Sequence, residues 1–384
     1  MFPVSTADRR AMRSWVEVNL DALERNINRV RAHIPDHVHY IAVVKADAYG
    51  HGLSAVVSRM LKSGIDAFGV ANVQEGIRIR EQGIALPILI LSPVLPDEIS
   101  SLGEYQLMPF ISCRDEWERL QCWARSHEKV ISVHLKIDTG MGRVGFWYED
   151  LAKQDLKRYF SDPWVRVEGL ATHFSCASSD KAYTELQRSR FQNSLRCCGV
   201  DASSPMWIHE SSSFALPENW QKSLCNAVRI GALPYGVGPD VQIPFIQSLA
   251  LEPVLSFYSR VSLIKTLPAG VPVGYDATAM THRPTRIAVL SAGYADGIST
   301  SASNVAKALI HGQRFQILGR VAMDQTILDI TDATMSIQVG DRVTWIGRDG
   351  EDEITANEFC RWSKHIIREC LYSISARVQR VYIG

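Results

Sequence analysis

No stretch of this 384-residue chain approaches the ~20 consecutive apolar residues that a membrane-spanning helix needs. The longest apolar run, residues 85–95, is broken by prolines and a serine. An excess of either charge is also missing, since 41 Lys and Arg balance 41 Asp and Glu. That removes any overall attraction to nucleic acid or to an anionic membrane. The 8 cysteines (Cys113, Cys122, Cys176, Cys197, Cys198, Cys225, Cys360 and Cys370) form no CxxC pair and no regular spacing. Neither zinc ligation nor a disulfide framework is indicated, no metal is expected, and the thiols read as buried. The first residues carry Asp8, Arg9, Arg10 and Arg13 but no apolar run of signal-peptide length, so a cytoplasmic location is expected.

What is present is globular usage, 46% hydrophobic and 21% charged, too apolar for disorder. Leu23, Ile27, Val30 and Ile34 recur at helical spacing before a short β-branched run at 39–45. Ser54 is placed to cap a helix carrying Val56, Val57, Met60 and Leu61, and Asn72 with Glu75 forms a capping box for a helix ending near Gly83. Further strand candidates fall at 67–70, 87–91, 106–111, 130–137, 165–173, 206–209 and 226–230. Eight such runs separated by helical segments predict an α/β fold, a (β/α)8 TIM-type barrel rather than an open doubly wound sheet. Beyond residue 244 the texture changes, and 253–273, 286–290, 315–330 and 342–346 alternate every second residue. This predicts a mostly β C-terminal domain. Residues 15–20 share that period. The expected division is an N-terminal segment, 1–19, giving a strand to the β domain, a barrel over 20–245, and the β-rich domain over 246–384.

Barrel enzymes carry their chemistry at the C-terminal ends of strands, and unusual polar residues recur there. The first strand ends in Lys45, followed by a glycine-containing loop with Tyr49. A strand-end lysine in an apolar run is a candidate Schiff-base nucleophile, because a desolvated ammonium loses its proton more easily; any single lysine is more often a solvated one. The fifth strand delivers Lys136 and then a glycine-rich loop projecting Arg143, a residue type suited to bidentate carboxylate recognition though often only a surface group. The sixth ends at His173, which alone is as readily a satisfied core group as a proton relay. Ser211, Ser212 and Ser213 follow the seventh, and Arg229 leads into Gly231 and Ala232 after the eighth. Barrels frequently build a phosphate site from these last two loops. A strand-end lysine, a phosphate cradle and two buried-looking arginines together suggest pyridoxal 5′-phosphate.

With these residues assembled, the sequence resembles the alanine racemases, fold-type III pyridoxal-phosphate enzymes. The matching segments are AVVKADAYGHG (42–52), HLKIDTGMGRVGF (134–146), THF (172–174), VRIGALPYG (228–236), VGYDAT (273–278), AGYADG (292–297) and GRVAMDQTILDIT (319–331). The resemblance implies a homodimer with shared active sites and alanine as substrate. Lys45 would hold the cofactor and act as base on the D-face, while Tyr275 of the partner subunit would act on the L-face. His173 and Arg229 would form a hydrogen-bonded relay behind that phenol. Tyr49, Ser213, Gly231 and Ala232 would hold the phosphate. Arg143 and the partner subunit's Met323 would bind the substrate carboxylate, with Tyr275, Tyr294 and Asp324 lining the same place. Lys136 matches the lysine that is carbamylated in many members and orients Arg143. Two bases are needed because inversion removes a proton from one face of Cα and returns it to the other. A phenol ordinarily titrates near pH ~10, so positive charge must stabilise its anion. Arg229 against the pyridine nitrogen would keep that nitrogen unprotonated and limit side reactions.

Three positions depart from the commonest pattern of the family. Ser212 replaces an asparagine, Ala322 a frequent cysteine, and Ala376 a tyrosine that narrows the entrance. A wider entrance keeps open a serine-accepting, broad-specificity racemase. A decarboxylase on the same fold would place an acidic residue where Arg229 stands, a non-catalytic cofactor carrier would lack the β domain, and a structural dimer would be expected to lose Lys45 or Tyr275.

Overall fold

Alternation of buried and open positions begins with β1 (Ser14–Asn19), which leads directly into the helix Leu20–Arg31. The structure is a computed structural model describing residues 9, 11–151, 157–201, 203–216, 224–238 and 243–384; residues 1–8 and 10 of the expected N-terminal segment lie outside the described residues. Asn19 starts the helix by accepting the Ala22 N–H on Oδ1 at 2.9 Å. The helix then buries Leu23, Ile27 and Val30.

Nine strands follow: β2 (His39–Val43), β3 (Ala67–Val70), β4 (Ile88–Ile90), β5 (Met108–Ile111), β6 (Ile131–Asp138), the short β7 (Phe146–Trp147), β8 (Val165–Ala171), β9 (Trp207–His209) and β10 (Ala227–Ile230). All but β7, which pairs with the end of β6, form one parallel series from β10 through β2 to β9. The two ends of the series meet. Asn226 N donates to Ile208 O at 3.1 Å and Arg229 N to Ser211 O at 3.2 Å, with Ser212 bridged to Arg229 in parallel. The result is a nearly closed eight-stranded barrel. Side chains alternate as a pleat requires: Ile41, Ala67, Leu89, Phe110, Ala171 and Ala227 fill the lumen, while Tyr40 and Ala42 on β2 pack outward under the helices.

The rest of the chain is mostly β: β11 (Leu255–Leu267), β12 (Pro272–Val273), β13 (Ala279–Met280), β14 (Thr285–Leu290), β15 (Lys307–Ile310), β16 (Gln313–Gln316), β17 (Thr326–Asp329), β18 (Arg342–Asp349), β19 (Asp352–Ile354) and β20 (Gln379–Ile383). β1 lies in this sheet, antiparallel to β11 and parallel to β20.

Several local expectations are corrected. The run 315–330 is two strands, β16 and β17, because Gly319 adopts φ +81° and turns the chain between them. The helices Ala356–Ser363 and Ile367–Ser373 within the β unit were not anticipated. Ser54 lies inside the helix Leu53–Lys62 and caps nothing; Gly52 is the cap residue, and Asp47 Oδ1 accepts the Leu53 N–H at 3.1 Å. Only Cys225, Cys360 and Cys370 are buried. Cys113, Cys122 and Cys197 are exposed, because they occupy the start, outer face and end of barrel helices. No helix among the described residues is long and apolar enough to cross a membrane.

Candidate active site

Immediately after Lys45 the backbone winds left-handed: Ala46, Asp47, Ala48 and Tyr49 have φ between +52° and +55°. For residues with a Cβ this costs about 1–2 kcal/mol each, so the surroundings must enforce it. Glu75 Oε1 accepts the Ala46 N–H at 2.6 Å, and His51 Nδ1–H donates to Ala48 O and Tyr49 O, each at 3.0 Å. Asp47 is tied to Leu53 N and, at 3.2 Å, to Arg78. The expected capping box is therefore half made. Asn72 Oδ1 accepts the Glu75 N–H at 3.0 Å, but the Glu75 carboxylate is diverted to Ala46 N and Ala71 N. Lys45 itself faces the open barrel mouth. Desolvation, then the nearby Arg143, pull its ammonium below the usual range, with Arg368 and Arg229 adding and Glu75 opposing.

Beside it lies a cup of neutral donors. Ser213 Oγ accepts the N–H groups of Gly231 at 2.9 Å and Ala232 at 3.2 Å. A Cβ at Gly231 would lie 2.4 Å from Tyr49 Oη, so only glycine lets phenol, hydroxyl and amides converge. Burial pushes the Tyr49 phenol up to about 12, which keeps it a donor. Two amides gathered on Ser213 Oγ, with the Tyr49 phenol beside Gly231, make a set of neutral donors whose chemistry fits a phosphate.

Arg229 is the hub of the lumen. Its Nη1 donates to His209 Nδ1 at 2.8 Å and His209 O at 2.9 Å; its Nη2 donates to Thr172 O at 2.8 Å, His173 Nδ1 at 3.0 Å and Glu210 O at 3.3 Å. Burial lowers the guanidinium to about 10, so it stays charged at neutral pH. A guanidinium only donates, so both Nδ1 atoms accept and each imidazole carries its proton on Nε2. His209 Nε2 then donates to His134 Nδ1 at 2.7 Å. Burial, then the Arg229 charge, hold His173 at about 2 and His134 at about 3. These rings are neutral at any ordinary pH. Lys136 is buried on the same face of β6, and desolvation followed by Arg229 drops its ammonium well below its usual value.

Arg143, which the sequence suggested to be buried, is exposed, because its loop leaves the strand end. The loop is nonetheless fixed. Asp138 Oδ1 accepts from Gly140 N at 2.9 Å, Met141 N at 2.8 Å and Gly142 N at 3.2 Å, and Oδ2 from Arg143 N at 2.9 Å. Burial pushes the Asp138 carboxyl up, but these four N–H groups more than offset it and hold it below the usual range. Gly145 closes the loop where a Cβ would lie 2.6 Å from Asp138 N.

The second set of residues clusters around residues 319–324 of the β unit. Tyr294 N donates to Ala322 O at 2.9 Å and Ala295 N to Met323 O at 3.0 Å. Asp276, next to Tyr275, pairs with Arg320. Arg377 clamps the group, its Nε and Nη2 on the buried Asp296 at 2.8 and 2.7 Å and its Nη1 on Asp324 at 2.8 Å. A cleft of about 800 Å³ beside this clamp is lined by Met12, Ser14, Ser291, Asp296, Asp324 and Arg377 and involves no barrel residue. Tyr275, Met323 and Tyr294 are 68, 52 and 44% exposed. Among the described residues no hydrogen bond or ion pair joins Tyr275, Tyr294, Met323 or Asp324 to the barrel.

Sequence reasoning missed His134, His209, Asp138 and Arg377. The first and third had a readable signal: His134, Lys136 and Asp138 recur at every second position of β6, a polar stripe on the lumen side of a strand.

The matches agree with this architecture. Residues 18–239 match the alanine racemase N-terminal domain and residues 254–382 the alanine racemase C-terminal domain. The alanine racemases of Methylacidiphilum infernorum and Halothermothrix orenii are 38% and 35% identical to the chain, each over 96% of it and over 92% and 96% of their own lengths. Among solved structures, the alanine racemase of Bacillus anthracis with bound L-Ala-P is 34% identical, with a TM-score of 0.88, over 97% of this chain and 95% of that one. Barrel, β unit and matches together define the class: an amino-acid racemase, an isomerase. The chain belongs to the alanine racemase family.

Proposed function

We propose that this chain interconverts L- and D-alanine with pyridoxal 5′-phosphate by a two-base mechanism in a cytoplasmic homodimer, supplying D-alanine for peptidoglycan or degrading it. The carrying observation is the Arg229 hub, a buried permanent cation where a decarboxylase would be expected to place a carboxylate. The racemase matches, including a relative with bound L-Ala-P, support the substrate class. The division 1–19, 20–245 and 246–384 remains the proposed domain organisation.

The cup of Tyr49, Ser213, Gly231 and Ala232 would hold the phosphate, and Lys45 would hold the carbonyl end. When bound, the cofactor supplies an electron-withdrawing conjugated ring that acidifies the Cα–H of the amino acid. Lys45, whose ammonium sheds its proton readily because of desolvation at the barrel mouth and the neighbouring arginines, moves the proton on the D-face. Tyr275 of the partner subunit moves it on the L-face. His173, its Nδ1 occupied by Arg229, keeps Nε2–H to donate to that phenol oxygen and favours its anion. Arg143 and the partner subunit's Met323, with Tyr294 of the partner subunit and Asp324 of the partner subunit beside it, hold the carboxylate. Lys136, driven toward the neutral amine, is in the form that carbon dioxide carbamylates, which would orient Arg143.

Purified protein with pyridoxal phosphate, given single L-amino acids and followed by loss of optical rotation, tests this. Rapid loss with alanine and far slower loss with lysine is expected. Equal rates on both would refute the narrow reading, and carbon dioxide release without inversion would replace it with decarboxylation. A second reading, acceptance of serine, is favoured by the exposed methyl of Ala376; Ala376→Tyr should lower activity on serine relative to alanine.

A further inference from the structure

The cup of Tyr49, Ser213, Gly231 and Ala232 contains only uncharged donors, so a phosphate dianion there receives hydrogen bonds but no counter-charge from these four residues. The β unit reaches this place. Its helix Ile367–Ser373 packs on the turn that follows Lys45: a Cβ at Gly50 would lie 2.6 Å from Leu371 O, and Arg380 Nε donates to Gly50 O at 3.1 Å. From the first turn of that helix, Arg368 turns back toward the barrel, its guanidinium carbon 5.7 Å from the ring centroid of Phe214, the residue that follows Ser213. The side chain is half-buried, and no carboxylate pairs with it among the described residues. A guanidinium resting on an aromatic face presents its edge donors to whatever lies beside the ring. Its field reaches the cup at Tyr49. It opposes the burial that raises Tyr49, and it adds to the charge that acts on Lys45. Ala376, shortly after the same helix, offers no side-chain donor of its own.

We infer that Arg368 is a cofactor-binding residue, the cation that neutralises the phosphate seated on Tyr49, Ser213, Gly231 and Ala232. This rests on the cofactor reading above. The β unit thereby contributes to the cofactor site of its own barrel, a role separate from the face that carries Tyr275. The contact is specific to the phosphate, and pyridoxal, which lacks that group, provides the control.

The test uses the full chain stripped of cofactor. The unaltered protein and its Arg368→Ala, Arg368→Gln and Arg368→Lys variants are titrated with pyridoxal 5′-phosphate and separately with pyridoxal, following the visible absorption of the bound coenzyme. Arg368→Ala is expected to raise the Kd for pyridoxal 5′-phosphate roughly tenfold, the scale of one charge-assisted contact, and to leave the Kd for pyridoxal unchanged; Arg368→Lys should recover part of the loss. If the alanine variant unfolds, the neutral and nearly isosteric Arg368→Gln carries the same expectation, with thermal unfolding of each cofactor-free form as the check on folding. Equal losses for both ligands, or no loss for either, would overturn the inference while leaving the cofactor reading intact. No visible band from the unaltered chain would overturn both.

Discussion

The barrel mouth and the 319–324 face of the β unit are built on opposite principles. At the mouth, Arg229, His173, His209 and His134 satisfy one another within a single chain, and Asp138 and Glu75 spend their oxygens on backbone amides. On the β face, Tyr275, Tyr294 and Met323 stand exposed, and what is fixed is the loop beneath them, through Arg377 and Asp296. One region is preorganised and buried; the other is a rigid platform holding large side chains out to water. Exposed aromatic and methionine side chains on a rigid platform are what a contact surface for another subunit requires.

The sharpest way to break this comparison is to disable each half separately. Lys45→Ala and Tyr275→Phe should each cost on the order of 10³-fold or more in turnover, the scale of a lost general base. Mixing the two inactive proteins should then restore activity to about a quarter of the unaltered level if each subunit lends its β face to its partner's mouth. No recovery after subunit exchange, verified by differently tagged chains, would show that both groups act within one chain.

Next in size is Arg229→Gln. Its loss strips buried donors from Thr172 O, His209 O and Glu210 O together with two imidazoles, and should lower unfolding stability by about 3–5 kcal/mol, read from the urea midpoint. A shift under about 1 kcal/mol would mean that the lumen relaxes or hydrates.

The acid branch separates the regions further. His51 is held at about 4, His134 at about 3 and His173 at about 2, all by burial first. These folded values lie below the ~6.5 of an exposed histidine, so the unfolded chain binds more protons. Stability should therefore be intact above pH ~6.5 and fall progressively below it. Urea midpoints from pH 8 to 4 should show the decline, and His209→Asn should flatten it; a flat profile in the unaltered protein would contradict the neutral chain of imidazoles.

The smallest effect is expected from Arg377→Ala. Removing the clamp leaves the buried Asp296 with the Gly293 N–H at 2.9 Å and the Ser14 hydroxyl at 3.3 Å. Stability should drop by about 1–2 kcal/mol, and KM for alanine should rise several-fold with kcat changed less, because the loop carrying Met323 loses its support. A fall in kcat alone would place Arg377 in the proton chemistry instead.

Much of the barrel was legible because most of its strands are short apolar runs between helical periods, and a closed parallel sheet leaves few other ways to bury eight of them. The strand-end residues Lys45, His173 and Arg229 could be read for the same reason. What the sequence concealed were interactions set by tertiary proximity. Glu75 looks like a capping residue and instead pins Ala46, 29 positions away. Asp138 looks like a turn residue and is the anchor of the Arg143 loop. Tyr275, Tyr294 and Met323 are far apart in sequence, and tertiary contacts bring them together: backbone pairing between 294–295 and 322–323, the Arg320 to Asp276 pair, and the Arg377 clamp on Asp296 and Asp324. The β-unit helices went unseen because each spans only two turns.

The left-handed winding of residues 46–49 has a consequence for how the chain tolerates change. A β-branched side chain at Ala46 or Ala48 would meet its own carbonyl, and lengthening the turn by one residue would swing Lys45 out of register with the cup. The segment therefore behaves as a molded part: compositional drift elsewhere in the barrel can be absorbed by repacking, whereas here the permitted alphabet is narrow and the spacing fixed.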